Sequence, residues 1–217
     1  MAEETAPIST APTGVRSRFS CLAFLGSGCA ALVLFLQFVQ GSTDFPRIAP
    51  EDMAERASQR SQEAYGVLGF TRTVEPGVED LGVSTENTLS SGSCYTGGLF
   101  TVDETVDGAY RMSHSWALDR VPASQAAPGL RRLHQHLKDD GWEITSYRDG
   151  GAQGNWDLYV QRDDGDERMS FTWFPDREYF MGGATGPCAY DPAWKDGDPG
   201  PTGEALRPPV FGPAPQD

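Results

Sequence analysis

An α+β domain is the fold this sequence predicts: an antiparallel sheet of about five or six strands with one face covered by a helix, preceded by a single transmembrane helix. Three observations predict it. They are an uncharged apolar run at Phe19–Val39, a series of alternating segments beyond Tyr95, and a leucine stripe lying among those segments.

Residues 1–18 are short, polar and expected to be a disordered cytoplasmic tail. The run FSCLAFLGSGCAALVLFLQFV at 19–39 holds no charge, and as a helix it would reach roughly 30 Å, the thickness of a bilayer's hydrocarbon core. Arg16 and Arg18 precede it, whereas the first base after it is Arg47, so the positive-inside tendency places the N-terminus in the cytoplasm. The expected localisation is therefore the plasma membrane, single-pass, with an extracytoplasmic C-terminal domain and the lipid bilayer as a partner through residues 19–39. Two alternatives to a retained anchor stay open, namely signal-peptidase cleavage at Val39-Gln40-Gly41 and acylation of Cys29. Residues 40–50 read as a tether.

The extracytoplasmic α+β domain is expected over 51–190. Glu51–Leu68 reads as a helix, with Pro50 and the acids Glu51 and Asp52 at its start and a thin stripe of Met53, Ala57, Ala64 and Leu68 that predicts light packing. Residues 69–93 are polar and carry no assignable period. Leu99–Asp103 and Tyr110–Leu118 read as strands joined around Asp107-Gly108. In the second, Tyr110, Met112, His114, Trp116 and Leu118 alternate with polar residues, the mark of a sheet with one buried and one wet face.

A helix follows from about Ala123 or Pro128 to Asp140, with Leu130, Leu133 and Leu137 as its stripe; Pro128 either begins it or kinks it, and Gly141 ends it. Strands are expected at Trp142–Tyr147, Trp156–Arg162, Arg168–Phe174 and near Tyr179–Gly182, with Asp163-Asp164-Gly165-Asp166 as a hairpin loop. Residues 191–217 are proline-rich and acidic and are expected to be a disordered tail.

Charge narrows the partners. The chain has 17 Lys plus Arg against 31 Asp plus Glu, a formal charge of −14, so a phosphate backbone is repelled and nucleic-acid binding is not expected. Only two of the bases are lysines, an arginine bias of the kind a G+C-rich bacterial genome produces.

Few residues offer chemistry. Cys94 and Cys188 bracket the expected sheet and are predicted to form a disulfide, which export to an oxidising space permits. His134 and His136 lie two apart on a helix and cannot share a metal. His114, on an apolar strand face, reads as a core histidine, with general acid/base chemistry as the alternative. Trp116, Trp142, Trp156 and Trp173 belong to strands, while Trp194 stands alone in the polar tail as a possible interaction residue. The acids at 163–167 and at Asp196 and Asp198 lack calcium-loop spacing, no G-x-S-x-G elbow occurs, and Gly182–Gly186 reads as a flexible strand exit, with an anion-binding nest as the alternative. No catalytic, cofactor-binding or metal residue is assigned.

The function expected is a membrane-anchored, extracytoplasmic, non-enzymatic binding or interaction domain for another envelope protein, a peptide or a small ligand, with the ligand itself unidentified. Two alternatives accompany it: an envelope hydrolase using carboxylates and His114, and an accessory subunit of a larger membrane complex.

Overall fold

Helix α1 (Pro50–Leu68) begins where the sequence places it, with a proline in its first turn, and ends at Gly69, whose left-handed φ of 74° lets its N–H reach back to Tyr65 and Gly66. A computed structural model describes residues 45–95, 104–151, 154–198 and 206–213, all within one unit running from Ser42 to Asp217. After α1 come β1 (Gly77–Val78), β2 (Glu86–Tyr95), β3 (Thr105–Leu118), helix α2 (Ala123–Asp139), β4 (Glu143–Asp149), β5 (Trp156–Arg162), β6 (Glu167–Phe174), β7 (Tyr179–Thr185) and β8 (Ala189–Tyr190).

The strands form one eight-stranded sheet in the order β1-β2-β3-β7-β6-β5-β4, with every pair antiparallel. Strand β8 pairs with β3 at Ala109 and Tyr110, beyond the stretch of β3 that β7 occupies. Alternation predicts the faces correctly. Met112, Trp116, Leu118, Leu158, Val160, Phe171, Trp173 and Phe180 are buried towards the helices, while Ser115, Tyr159, Ser170 and Met181 lie on the opposite face.

Both helices pack on the buried face, where the expectation held one. Helix α1 was expected to pack lightly, yet Met53 and Tyr65 are 0% exposed and Ala54, Ala57, Ser58, Ser61, Ala64 and Leu68 are also buried. Five of these eight buried residues are alanines or serines, which count for little in a hydropathy stripe but allow close approach to the sheet. Helix α2 starts at Ala123, so Pro128 lies within it, and Gly129 sits against α1: a Cβ there would come within 2.9 Å of the Leu68 carbonyl.

The strand pairing differs from the expected hairpin as well. Leu99–Asp103 lies outside the described residues, and the partner of β3 is β2, from the stretch with no readable period. Asp107-Gly108 lies inside β3 rather than at a hairpin tip. The Asp163–Asp166 loop between β5 and β6 stands as expected, closed by the pair Arg162 and Glu167.

The transmembrane expectation is corrected. Residues 19–39 lie outside the described residues, and among the described residues no helix is long and apolar enough to cross a membrane. Charge excludes both described helices from that role: α1 carries Glu51, Asp52, Glu55, Arg56, Arg60 and Glu63, and α2 carries Arg131, Arg132, Lys138 and Asp139, charges that a lipid-facing helix does not tolerate. The described residues therefore give no support to a bilayer partner, a single-pass plasma-membrane localisation or the anchored functions built on them, and those readings are not carried forward.

Candidate functional site

The chain's C-terminal segment, residues 206–213, forms a strap across the domain and ends in a socket. Phe211 is 1% exposed. Its ring lies 4.5 Å from that of Tyr65 on α1 and 5.2 Å from that of Trp116 on β3, centroid to centroid, with the His114 imidazole 5.3 Å away. Such edge and tilted aromatic contacts add to the burial of the ring itself.

Three groups of the domain body address the strap's main chain. In the loop after α1, Val74 N–H donates to Phe211 O at 2.7 Å and Phe211 N–H donates to Val74 O at 3.0 Å, a two-bond antiparallel bridge. Gln62, on α1, brackets the next residue: its Nε2 donates to Gly212 O, and its Oε1 accepts from Gly212 N–H at 3.3 Å. Asn87, on β2 and fully buried, donates through Nδ2 to Pro209 O at 2.8 Å and to Val74 O at 3.1 Å.

With its amide nitrogen committed to two carbonyls, Asn87 turns its Oδ1 to His114 Nε2 at 2.9 Å. The oxygen accepts only, so the imidazole carries its proton on Nε2, and Nδ1 is a buried nitrogen with no partner among the described residues. Burial pushes the imidazole down to about 4, so it is neutral at pH 7. Tyr65 is held in turn by its hydroxyl, which donates to Arg72 O at 2.7 Å, and burial pushes that phenol up to about 12.

Among the described residues nothing fills the groove beside the strap. About 560 Å³ lies between α1, where Glu51, Ala54, Glu55 and Ser58 line it, and the strap residues Leu206, Arg207 and Val210, with Leu89 of β2 as floor.

The residues singled out by sequence fall in separate places. His114 is 1% exposed beneath Phe211 and hydrogen-bonds an amide, not a carboxylate, so the Asp or Glu partner that a hydrolase would set against it is Asn87. Cys94 and Cys188 are bonded, at a Cα separation of 6.0 Å, and Arg111 donates to Cys188 Sγ at 3.3 Å. Trp194 docks on the domain: its ring lies against Gly108 so closely that a Cβ there would fall 2.4 Å from it, and its Nε1–H donates to Asp198 O. His134 stacks on Tyr147 at 4.3 Å. Gly182 and Gly183 are mid-strand in β7. Among the described residues no group of three His, Cys, Asp or Glu side chains is placed to hold a metal ion.

Gln62, Val74, Asn87 and Phe211 carry the site, and none stood out in the sequence. The available signal was Phe211, an isolated aromatic among prolines, the same anomaly that marked Trp194. No protein-family model matches the chain, and neither the curated proteins nor the solved structures searched contain a match.

Proposed function

We propose that this domain is a non-enzymatic peptide-recognition module. It takes an extended, proline-flanked segment with a phenylalanine anchor, and residues 206–213 are its occupant in cis. The direction of the hydrogen bonds carries the assignment: Asn87, Val74 and Gln62 all address main-chain atoms, at Pro209, Phe211 and Gly212. Main-chain bonds hold any extended backbone, and a side-chain pocket then selects among sequences. A segment that served only to fill the core would need the Phe211 ring but not two side-chain amides aimed at its backbone. Pro208 and Pro209 fit the same role, because their fixed φ holds the strap extended before it docks and lowers the entropy lost on binding.

The test supplies the strap in trans. Full-length protein carrying Phe211→Ala has an empty socket, and the peptide Leu-Arg-Pro-Pro-Val-Phe-Gly-Pro is titrated into it by calorimetry. Saturable one-to-one binding is expected, with no binding by the same peptide bearing Ala in place of Phe. A second arm adds excess peptide to the unaltered, isotope-labelled chain and follows the Phe211 and Gly212 amide signals. If the variant has native circular dichroism but binds nothing, and the amide signals of the unaltered chain do not move, the assignment is wrong.

A further inference from the structure

The occupant now in the groove leaves part of it unused, and the unused part specifies a different ligand. Phe211 and Gly212 are tightly held, but Val210, the residue before the anchor, is 55% exposed and borders the open volume of about 560 Å³. The opposite wall is apolar at Ala54 and Leu89, both buried. Valine's short branched side chain does not span that space. Alternation along an extended strap sends residue 211 inward and residue 210 to the side, so the position before the anchor addresses the groove.

Charge adds a second requirement. Glu51 and Glu55 stand one helical turn apart on α1 and both line the groove, and Arg207 of the strap lies on the same rim. Among the described residues Arg207 makes no ion pair within 4 Å with either carboxylate. A base four places before the anchor is thus near the acids without using them fully.

Resting on the peptide-recognition assignment above, we infer that the groove selects a peptide with a bulky apolar residue immediately before the phenylalanine anchor and a basic residue four places before it. The strap, with Val210 and an exposed Arg207 that pairs with neither carboxylate, is a weaker version of that ligand. A trans partner carrying the better side chains displaces it.

Three peptides titrated into full-length Phe211→Ala protein decide this: the strap sequence, the strap with Val210→Phe, and the strap with Arg207→Glu. The Val210→Phe peptide is expected to bind about tenfold tighter, as roughly two further buried methylenes imply. The Arg207→Glu peptide is expected to bind several-fold more weakly at low salt, with the gap closing at high salt. Protein that also carries Glu51→Lys and Glu55→Lys should reverse that charge preference. In the otherwise unaltered chain, Val210→Phe should raise the thermal midpoint, because the same space is filled in cis.

If the strap peptide binds and the Val210→Phe peptide binds no better, or the charge preference does not reverse, the selectivity is overturned while the recognition assignment stands. If none of the three peptides binds the natively folded variant and the amide signals of the unaltered chain do not move, both fall together.

Discussion

Lowering the pH from 7 to 5 is expected to cost this fold about 2 kcal/mol through His114 alone, rising to about 3 kcal/mol by pH 4. In the unfolded chain the imidazole titrates at its ordinary value of 6.5, whereas in the folded protein burial holds it down to about 4. Between those values the unfolded chain binds the proton and the folded chain does not. Stability is therefore whole above pH 6.5 and is lost as pH falls towards 4. Among the described residues Nδ1 has no hydrogen-bond partner, and Nε2 already serves Asn87, so an imidazolium would bury a second N–H with no acceptor among them. The assay is urea unfolding at pH 7, 5.5, 5 and 4 of the unaltered chain and of His114→Gln, whose amide keeps a donor for Asn87 Oδ1 but does not titrate. With a slope of roughly 2 kcal/mol per molar urea, the unaltered protein's midpoint should fall by about 1 M more than the variant's between pH 7 and 5. Carboxylates titrate alike in both proteins, so the difference isolates the histidine. Parallel pH profiles, or an imidazole found by NMR to titrate near 6.5, would refute the reasoning.

Two further outcomes bear on the frame around the site. Replacing Cys94 and Cys188 together by serine opens a loop of 94 residues and should lower unfolding free energy by about 4 to 5 kcal/mol in the chain-entropy model; a loss below about 1 kcal/mol in urea unfolding would mean the sheet closes those ends unaided. Gly182→Ala should destabilise by about 1 to 3 kcal/mol, because a Cβ there falls 2.5 Å from the Trp116 ring and 2.8 Å from Phe171. The same substitution at Gly66, inside α1 with nothing within 4 Å, should stabilise by up to about 1 kcal/mol, and thermal unfolding of the pair reads the opposite signs.

Legibility in the sequence followed how strongly each segment's burial was written in large apolar residues. Strands β3, β5 and β6 show it at every second position, so their inward faces and the Asp163–Asp166 turn were readable. Strand β2 was not, because of its residues only Asn87, Leu89 and Cys94 are buried, and an asparagine among serines and threonines resembles a turn. Helix α1 was visible as a helix but not as a principal packing element, since small side chains make its buried face. The strap was hidden for a third reason: prolines lower the local propensity for regular structure, and a composition average over 191–217 dilutes one phenylalanine. What docks the strap is main-chain pairing, to which side-chain composition is blind. His114 was rightly placed on a buried face, yet its meaning depends on Asn87, a contact 27 residues away that no local pattern encodes.

Tethering explains why the groove's unused selectivity matters. A segment joined to its own receptor acts at an effective concentration of order millimolar. A separate peptide present at about 10 μM must then bind roughly a hundredfold tighter than the strap to replace it. Main-chain bonds cannot supply that margin, because Val74, Gln62 and Asn87 offer the same partners to any extended backbone, and the Phe211 socket is already filled. The margin has to come from side chains the strap lacks. Among the described residues, the open volume beside Val210 and the two glutamates on the rim remain to provide it. The strap thereby sets a threshold: it keeps Trp116, Tyr65 and the orphaned His114 nitrogen out of water, and it yields to ligands that complete the groove.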